Sequence, residues 1–194
     1  MAIEWFQPEE PLTPPVIEPG KATVQVTRLP EDAYIVFKEL NEESDRGAAL
    51  LGVAYLDEQL KQLFRAKMLN EKIADELLGA HRPLATFSAR IDVGYGLGWL
   101  GKSTYEDINL IRKIRNDFAH LHKPMSFSDS NVISKCSALK LPKTVKVTLT
   151  ARDTFCWTVA FLALHFKDAA KTAARPEPGL DFFSLFESAR KTFK

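Results

Sequence analysis

The sequence lacks three features that would define a protein class at once: a cysteine framework, a long hydrophobic run and an excess of one charge. Its two cysteines, Cys136 and Cys156, form no CxxC pair, whereas a disulfide-stabilised domain of this length normally contains more cysteines. The 26 basic and 25 acidic residues leave a net charge of +1, which argues against a protein that coats nucleic acid with its whole surface. We therefore expect free thiols in a reducing compartment.

Signals for export or membrane insertion are also missing. The N-terminal residues show no basic segment followed by an apolar run, so no signal peptide is predicted. The longest apolar stretch is Phe155–Phe166, which is shorter than the roughly 20 residues that cross a bilayer. This stretch predicts a buried helix, and we expect a cytoplasmic protein with no membrane partner.

The chain divides into an N-terminal arm and one helical domain. Residues 1–20 contain five of the 11 prolines and no basic residue, which favours an extended arm. The alternating segment Thr23–Thr27 predicts a short strand within the arm of residues 1–29. The alternating segment Thr144–Thr150 could pair with it as a two-stranded ribbon. Residues 30–194 are predicted as a single mainly α domain, a helical bundle with at most this small β element.

Helical patterns and their boundary signals account for most of the remaining chain. In the segment 45–69, Leu51 and Tyr55 are predicted to share a broad apolar face with neighbouring leucines, and small residues leave room for another helix. Gly79 should end a short helix over residues 70–78, and Pro83 should begin the next one. A short helix is predicted to run to Ser137, a long apolar helix capped by Thr150–Asp153 is predicted to end near Ala174, and a final short helix is predicted around Phe182.

The helix predicted over Ser103–His122 is the strongest candidate for function. Ser103-Thr-Tyr-Glu106 matches a capping box, and Leu110, Ile111, Ile114 and Phe118 fall on one face as a core stripe. The polar side of the same helix carries Asn109, Arg112, Lys113, Asn116 and His120, with Arg115 at the edge of the stripe. Taken alone, such a face is more often simply solvated than functional.

Several spaced blocks in the right order make the segment 77–129 resemble the mannitol operon repressor family, and a further block suggests a similar core over about residues 44–130. The blocks are Ser44–Leu50, Pro83-Leu84, Phe87–Arg90, Tyr95–Gly98, Tyr105–Asp107, Leu110–His120 and Phe127–Asp129. The resemblance implies a helical transcriptional regulator without a DNA-binding domain. Such a protein would act through a protein partner and would not bind DNA directly.

The same resemblance implies membership of the wider HEPN-like group, in which many proteins are ribonucleases. Their RxxxxH pattern corresponds here to Arg115, Asn116 and His120 as possible catalytic residues, often completed across a homodimer. In that chemistry the histidine acts on the 2′-hydroxyl or the leaving oxygen and the arginine stabilises the phosphate charge. This metal-independent ribonuclease is the alternative to the regulator, and the two hypotheses stay open.

A basic stretch adds possible RNA contacts to the ribonuclease hypothesis. Between Val132 and Arg152 there are five basic residues and no acidic one, and cationic segments attract phosphate. An ordinary solvated surface is the simpler interpretation, since no aromatic residue is interleaved for base stacking. The candidate phosphate or RNA contacts are Arg112, Lys113, Lys140, Lys143 and Lys146.

One further motif is a third, weaker alternative. Gly96–Ser103 fits the phosphate-binding pattern GxxxxGK[ST], but that mechanism requires a buried strand before the loop. The preceding residues instead have helical spacing, so we interpret the glycines as a turn between helices. The pair His120 and His122 has no third ligand nearby, and neither a metal nor a cofactor is predicted.

Overall fold

A computed structural model describes residues 30–120, 124–144 and 149–179, and these residues form an all-helical bundle. The mainly α fold class is confirmed. A short 3₁₀ helix lies at Leu141–Thr144, between the last two α-helices. The α-helices of the described residues are α1 Glu31–Glu42, α2 Asp45–Lys67, α3 Glu71–Leu78, α4 Phe87–Gly96, α5 Lys102–Ala119, α6 Ser130–Ala138 and α7 Ala151–Lys171.

Side-chain caps explain where four of these helices begin. The Ser44 hydroxyl accepts a hydrogen bond from the Gly47 amide at the start of α2. The side-chain oxygen of Asn70 accepts one from the Ile73 amide at the start of α3. Thr86 caps α4 and Thr150 caps α7 in the same way. Each cap satisfies an amide that has no partner inside its helix. The predicted cap at Thr150 and the predicted end of a helix at Gly79 are therefore confirmed.

The core is built around α2 and α7, which pack more extensively on each other than any other pair of helices. Gly52 permits this close approach, because a Cβ atom at that position would lie 3.2 Å from Cε1 of Phe155. Phe155, Val159 and Phe166 of α7 are fully buried. The prediction that small residues of α2 admit another helix is thus confirmed at Gly52.

The connection between α4 and α5 is a tight turn held by buried contacts. Gly98 has a φ of +71°, which L-residues with a side chain rarely adopt. Leu100 is 3% exposed and fills the space beside Gly94, where a Cβ atom would lie 3.2 Å from its side chain. The rings of Tyr95 and Tyr105 stack with centroids 4.3 Å apart, and so fix the two helices relative to each other.

Two predicted helix starts are wrong. Helix α4 begins at Phe87 rather than at Pro83, since Leu84 donates its amide to the Leu77 carbonyl within a turn that follows α3. Helix α5 begins at Lys102 after Gly101, which provides no side-chain cap. Because the buried Leu100 brings the chain into the helix early, Ser103 already lies in the first turn and the predicted capping box does not form.

The remaining sequence predictions have mixed outcomes. Helix α5 ends at Ala119 rather than at His122, and α7 ends at Lys171 rather than near Ala174. Thr144 belongs to the 3₁₀ helix, not to a strand. The arm, the strand Thr23–Thr27, residues 145–148 and the helix around Phe182 lie outside the described residues. Among the helices that are described, none is long and apolar enough to cross a membrane.

Candidate functional site

The two faces of α5 are arranged as its sequence pattern predicts. Ile111, Ile114 and Phe118 are fully buried, together with Ile108, and Leu110 packs against this core from a partly buried position. On the other side Asn109 and Arg112 are half-buried, while Lys113 and Asn116 are exposed. The helix therefore anchors itself by one face and presents polar side chains on the other.

A groove of about 340 Å³ lies where this polar face meets α2 and α4. Its volume falls at the lower end of the range of small-molecule sites. Apolar side chains of α2 and α4 form part of its lining, and polar side chains of α5 form the opposite part. The lining residues are Leu50, Val53, Ala54, Asp57, Phe87, Arg112, Arg115 and Asn116.

The two arginines of the groove have only neutral partners among the described residues. Arg112 donates from Nε and Nη2 to the side-chain oxygen of Asn109 at 3.4 and 3.3 Å. Arg115 donates from Nη1 to the side-chain oxygen of Asn116 at 3.4 Å. These bonds are long for N–H···O geometry, and a guanidinium has five N–H donors. Donor capacity therefore remains on both side chains.

The single carboxylate in the groove lining, Asp57, is already engaged elsewhere. It accepts from Nε of Arg90 at 3.0 Å and forms a second ion pair with Lys61 at 3.4 Å. Arg90 is 1% exposed and also donates to the Leu84 carbonyl. Asp57 thus neutralises a buried cation, and the charge that the groove offers to solvent comes from Arg112 and Arg115.

The RxxxxH pattern is divided between the groove and the end of α5. Arg115 and Asn116 line the groove, whereas His120 is the C-cap residue, with extended backbone and an exposed side chain. The His120 carbonyl accepts a hydrogen bond from Nη2 of Arg46, on the first turn of α2, at 3.1 Å. All three side chains are thus at least partly accessible at the end of one helix, and their catalytic role stays a prediction.

The basic stretch is largely neutralised by carboxylates. Lys135 pairs with Asp117 and Lys140 pairs with Glu106, while Arg152 pairs with Asp45. Lys143 is exposed, and Lys146 lies outside the described residues. A phosphate that approached Lys140 would have to compete with the Glu106 carboxylate. The proposed RNA contacts on this stretch stay a prediction with less charge available than the sequence suggests.

Gly96–Ser103 connects two helices, as we interpreted it from the sequence. Helix α4 precedes the segment, so the strand that a phosphate-binding loop of the GxxxxGK[ST] kind needs is not there. The described residues also contain no cluster of three or more His, Cys, Asp or Glu side chains that could hold a metal ion. The described residues therefore provide neither a phosphate-binding loop nor a metal site in addition to the groove.

A set of exposed apolar side chains on α1 and α2, which we call the α1–α2 apolar surface, was missed by sequence reasoning. Leu51 and Tyr55 were predicted to face the core, yet they are 41% and 36% exposed. They lie four residues apart on α2 and therefore share one side of that helix. On α1, Tyr34 and Ile35 are 44% and 47% exposed. The helical period correctly identified apolar positions but could not show that α7 covers only part of the broad face.

The described residues thus define an all-helical bundle with a positively charged groove on one side and exposed apolar side chains on two of its helices. The model of the mannitol repressor family matches residues 36–159 of the chain. This match covers more than half of the chain and includes the groove together with Leu51 and Tyr55, whereas Tyr34 and Ile35 lie just before it. The chain belongs to the mannitol repressor family.

Curated relatives agree with this assignment, and a chain of a solved structure has a similar fold. The mannitol operon repressors of two Escherichia coli strains, K12 and O6:H1, are each 29% identical to the chain over 119 residues. That alignment covers 58% of the chain, and the chain spans only about 60% of the length of these relatives. A chain in the X-ray structure of the MtlR–HPr complex from Escherichia coli has the same fold, with a TM-score of 0.56 and 23% identity. That match covers 70% of this chain and 98% of the other.

Proposed function

We propose that this protein is a transcriptional regulator of the mannitol repressor kind, which acts in the cytoplasm by binding a protein of the HPr kind rather than DNA. The observation that carries the proposal is the α1–α2 apolar surface. Leu51 and Tyr55 are exposed one helical turn apart on α2, and neighbouring exposed apolar side chains are typical of a surface that another protein covers. Tyrosine is also enriched where proteins meet.

Support for this choice of partner comes from the comparisons. The chain belongs to a family described as mannitol repressors, and its fold is similar to that of a chain solved within a complex that contains HPr. On this proposal Leu51 and Ile35 would become buried in the complex. Each would then contribute the usual gain of an apolar side chain transferred from water, about 1.5–3 kcal/mol at most.

The experiment compares two substitutions at apolar side chains of similar exposure. Leu51→Lys places a charge in the α1–α2 apolar surface, whereas Ile133→Lys places one on α6, where Ile133 is 43% exposed. We expect calorimetry to detect HPr binding by the wild type and by Ile133→Lys, with at least about tenfold weaker binding by Leu51→Lys. Circular dichroism should show that both variants are folded. No binding of HPr by the wild type would contradict the proposal.

A second candidate function is a metal-independent ribonuclease at Arg115, Asn116 and His120. It is favoured by the geometry of the end of α5, where Arg115 and Asn116 are in contact and His120 is exposed at the next position after the helix. A histidine can transfer protons and an arginine can stabilise phosphate charge in such an arrangement. On this candidate function, a second copy of the chain would complete the ribonuclease site in a homodimer.

The two candidates are separated by an RNA cleavage assay in EDTA. If the protein is a ribonuclease, wild type and His165→Ala should cleave total RNA, while His120→Ala should not; His165 is an exposed histidine on α7 and so controls for the loss of an imidazole. If the protein is a regulator only, all three proteins should be equally inactive. A gel-shift experiment with operator DNA should show no direct binding in either case.

A further inference from the structure

We infer that the groove between α2, α4 and α5 binds a small phosphate monoester through Arg112 and Arg115. The inference concerns a ligand rather than a protein partner, and it holds or fails independently of the proposed function. Three properties of the groove support it: the partners of the charged groups, their capacity to bind phosphate, and the volume and lining of the groove.

The first observation is the contrast between these two arginines and others in the described part of the chain. Arg65, Arg82, Arg90, Arg152 and Arg175 each form an ion pair with a carboxylate. Arg112 and Arg115 form none with a described residue, although both are half-buried against the groove. Partial burial makes an uncompensated charge costly, and an anion in the groove would remove that cost.

The second argument is the match of charge and hydrogen-bonding capacity between a phosphate monoester and two guanidinium groups. A phosphate monoester carries a charge of about −1.5 to −2 at neutral pH, which two guanidinium groups would balance. Each guanidinium can donate two parallel hydrogen bonds to phosphate oxygens. Asp57 does not compete for this role, because its carboxylate is held by Arg90 and Lys61. The side-chain amide of Asn116 could reach a hydroxyl of the ligand.

The third observation is the composition of the remaining lining. Leu50, Val53, Ala54 and Phe87 cover the α2 and α4 side of the groove. Apolar walls lower the local dielectric and strengthen the attraction between the arginines and an anion. They also offer a surface for a short carbon chain. A volume of about 340 Å³ restricts that ligand to a small molecule.

The test measures binding by calorimetry, with glycerol 3-phosphate as the probe. We expect saturable binding to the wild type and at least about tenfold weaker binding to Arg112→Gln and to Arg115→Gln. Lys72→Gln is the matched control, because Lys72 is an exposed residue of α3 away from the groove and its substitution removes the same charge. Arg115→Lys, which keeps the charge but loses the planar fork, should bind with intermediate affinity.

Additional ligands identify the chemistry that is recognised. Glycerol should not bind, and glycerate should bind more weakly than glycerol 3-phosphate because it carries one charge. The inference is overturned if the wild type does not bind glycerol 3-phosphate, or if a titration with sodium chloride at equal ionic strength releases the same heat. It is also overturned if Lys72→Gln weakens binding as much as Arg115→Gln. Tighter binding of glycerate, or arginine-dependent binding of an RNA oligonucleotide without binding of glycerol 3-phosphate, would also overturn it.

Discussion

Among single residues, Arg90 is the most deeply buried charged side chain in the described part of the chain. It is 1% exposed and joins Asp57 of α2 to the Leu84 carbonyl before α4. Arg90→Ala would leave the Asp57 carboxylate without its main partner and a buried carbonyl without a donor. Asp57 keeps its ion pair with Lys61, but the unsatisfied carbonyl costs about 1–3 kcal/mol and the loss of a large buried side chain adds to this, which urea unfolding should detect.

Arg82 provides the matched control for Arg90. It pairs with Glu76 at 3.8 Å, and both side chains are about half exposed. Exposed pairs contribute at most about 1 kcal/mol, so Arg82→Ala should unfold at nearly the wild-type urea concentration. Equal destabilisation by Arg82→Ala and Arg90→Ala would show that the buried contacts of Arg90 do not matter.

The two cysteines give a prediction about reactivity and pH. Burial raises the pKa of Cys136 and of Cys156 from 9.0 to about 12, and only a thiolate reacts rapidly with alkylating agents. At pH 8 we expect iodoacetamide to modify neither thiol in the folded protein and both in guanidinium chloride. Rapid modification of the folded protein would contradict the burial of these side chains.

The same shift has a consequence for stability with a definite sign. The folded protein holds the two thiol protons up to about pH 12, whereas an unfolded thiol loses its proton near its ordinary pKa of 9.0. The unfolded state therefore binds fewer protons between these values. The contribution of both cysteines to stability is complete below the unfolded pKa and declines as the pH rises toward 12. Cys136→Ala should reduce this alkaline loss, as measured by urea unfolding at several pH values.

At the scale of elements, the contact between α2 and α7 depends on the absence of a side chain at Gly52. A leucine there would have to displace Phe155 and Val159, since even a Cβ atom would lie within 3.4 Å of both. Such overpacking costs about 1–3 kcal/mol or more. We expect Gly52→Leu to lower the melting temperature measured by circular dichroism. Gly96→Ala, with nothing within 4 Å of the added Cβ, should leave it close to the wild-type value.

Boundaries of elements were predictable wherever the signal was local. Thr150 caps α7, and Gly79 ends α3, because a cap needs only the next few residues. Ser103 carried an equally good local pattern, yet the cap did not form. There the buried Leu100, not the hydroxyl, decides where the chain enters α5. Local patterns therefore predict a helix well but lose to packing where a connection is buried.

The groove could be predicted only in part for the same reason. Arg112 was a candidate as a cation on the polar face of α5, and Arg115 and Asn116 were candidates because they fit the RxxxxH pattern of the family resemblance. Asp57 and Phe87 come from two other helices, and no spacing in the sequence indicates that they meet α5. The exposure of Leu51 and Tyr55 was likewise hidden, because it depends on how much of α2 is covered by α7.

At the scale of the whole molecule, Arg152 joins distant parts of the chain. Its guanidinium pairs with Asp45 and donates to the carbonyls of Leu40, Asn41 and Glu43, so it ties α7 to the turn between α1 and α2. Asp45 also accepts from the Phe127 amide at 2.8 Å, which adds the segment before α6. One ion pair thus holds three separate regions of the bundle in register.

A lysine at position 152 would keep the charge but could not reach all of these acceptors, because an ammonium group lacks the planar fork of a guanidinium. The carbonyls left without a donor should cost about 1–3 kcal/mol, so Arg152→Lys should unfold at a lower urea concentration than wild type. Arg175→Lys is the matched control, since Arg175 pairs with Glu71 at 3.3 Å and both side chains are more than half exposed. Unchanged unfolding of Arg152→Lys would mean that charge alone, rather than the several carbonyl contacts, holds α7 against the α1–α2 turn.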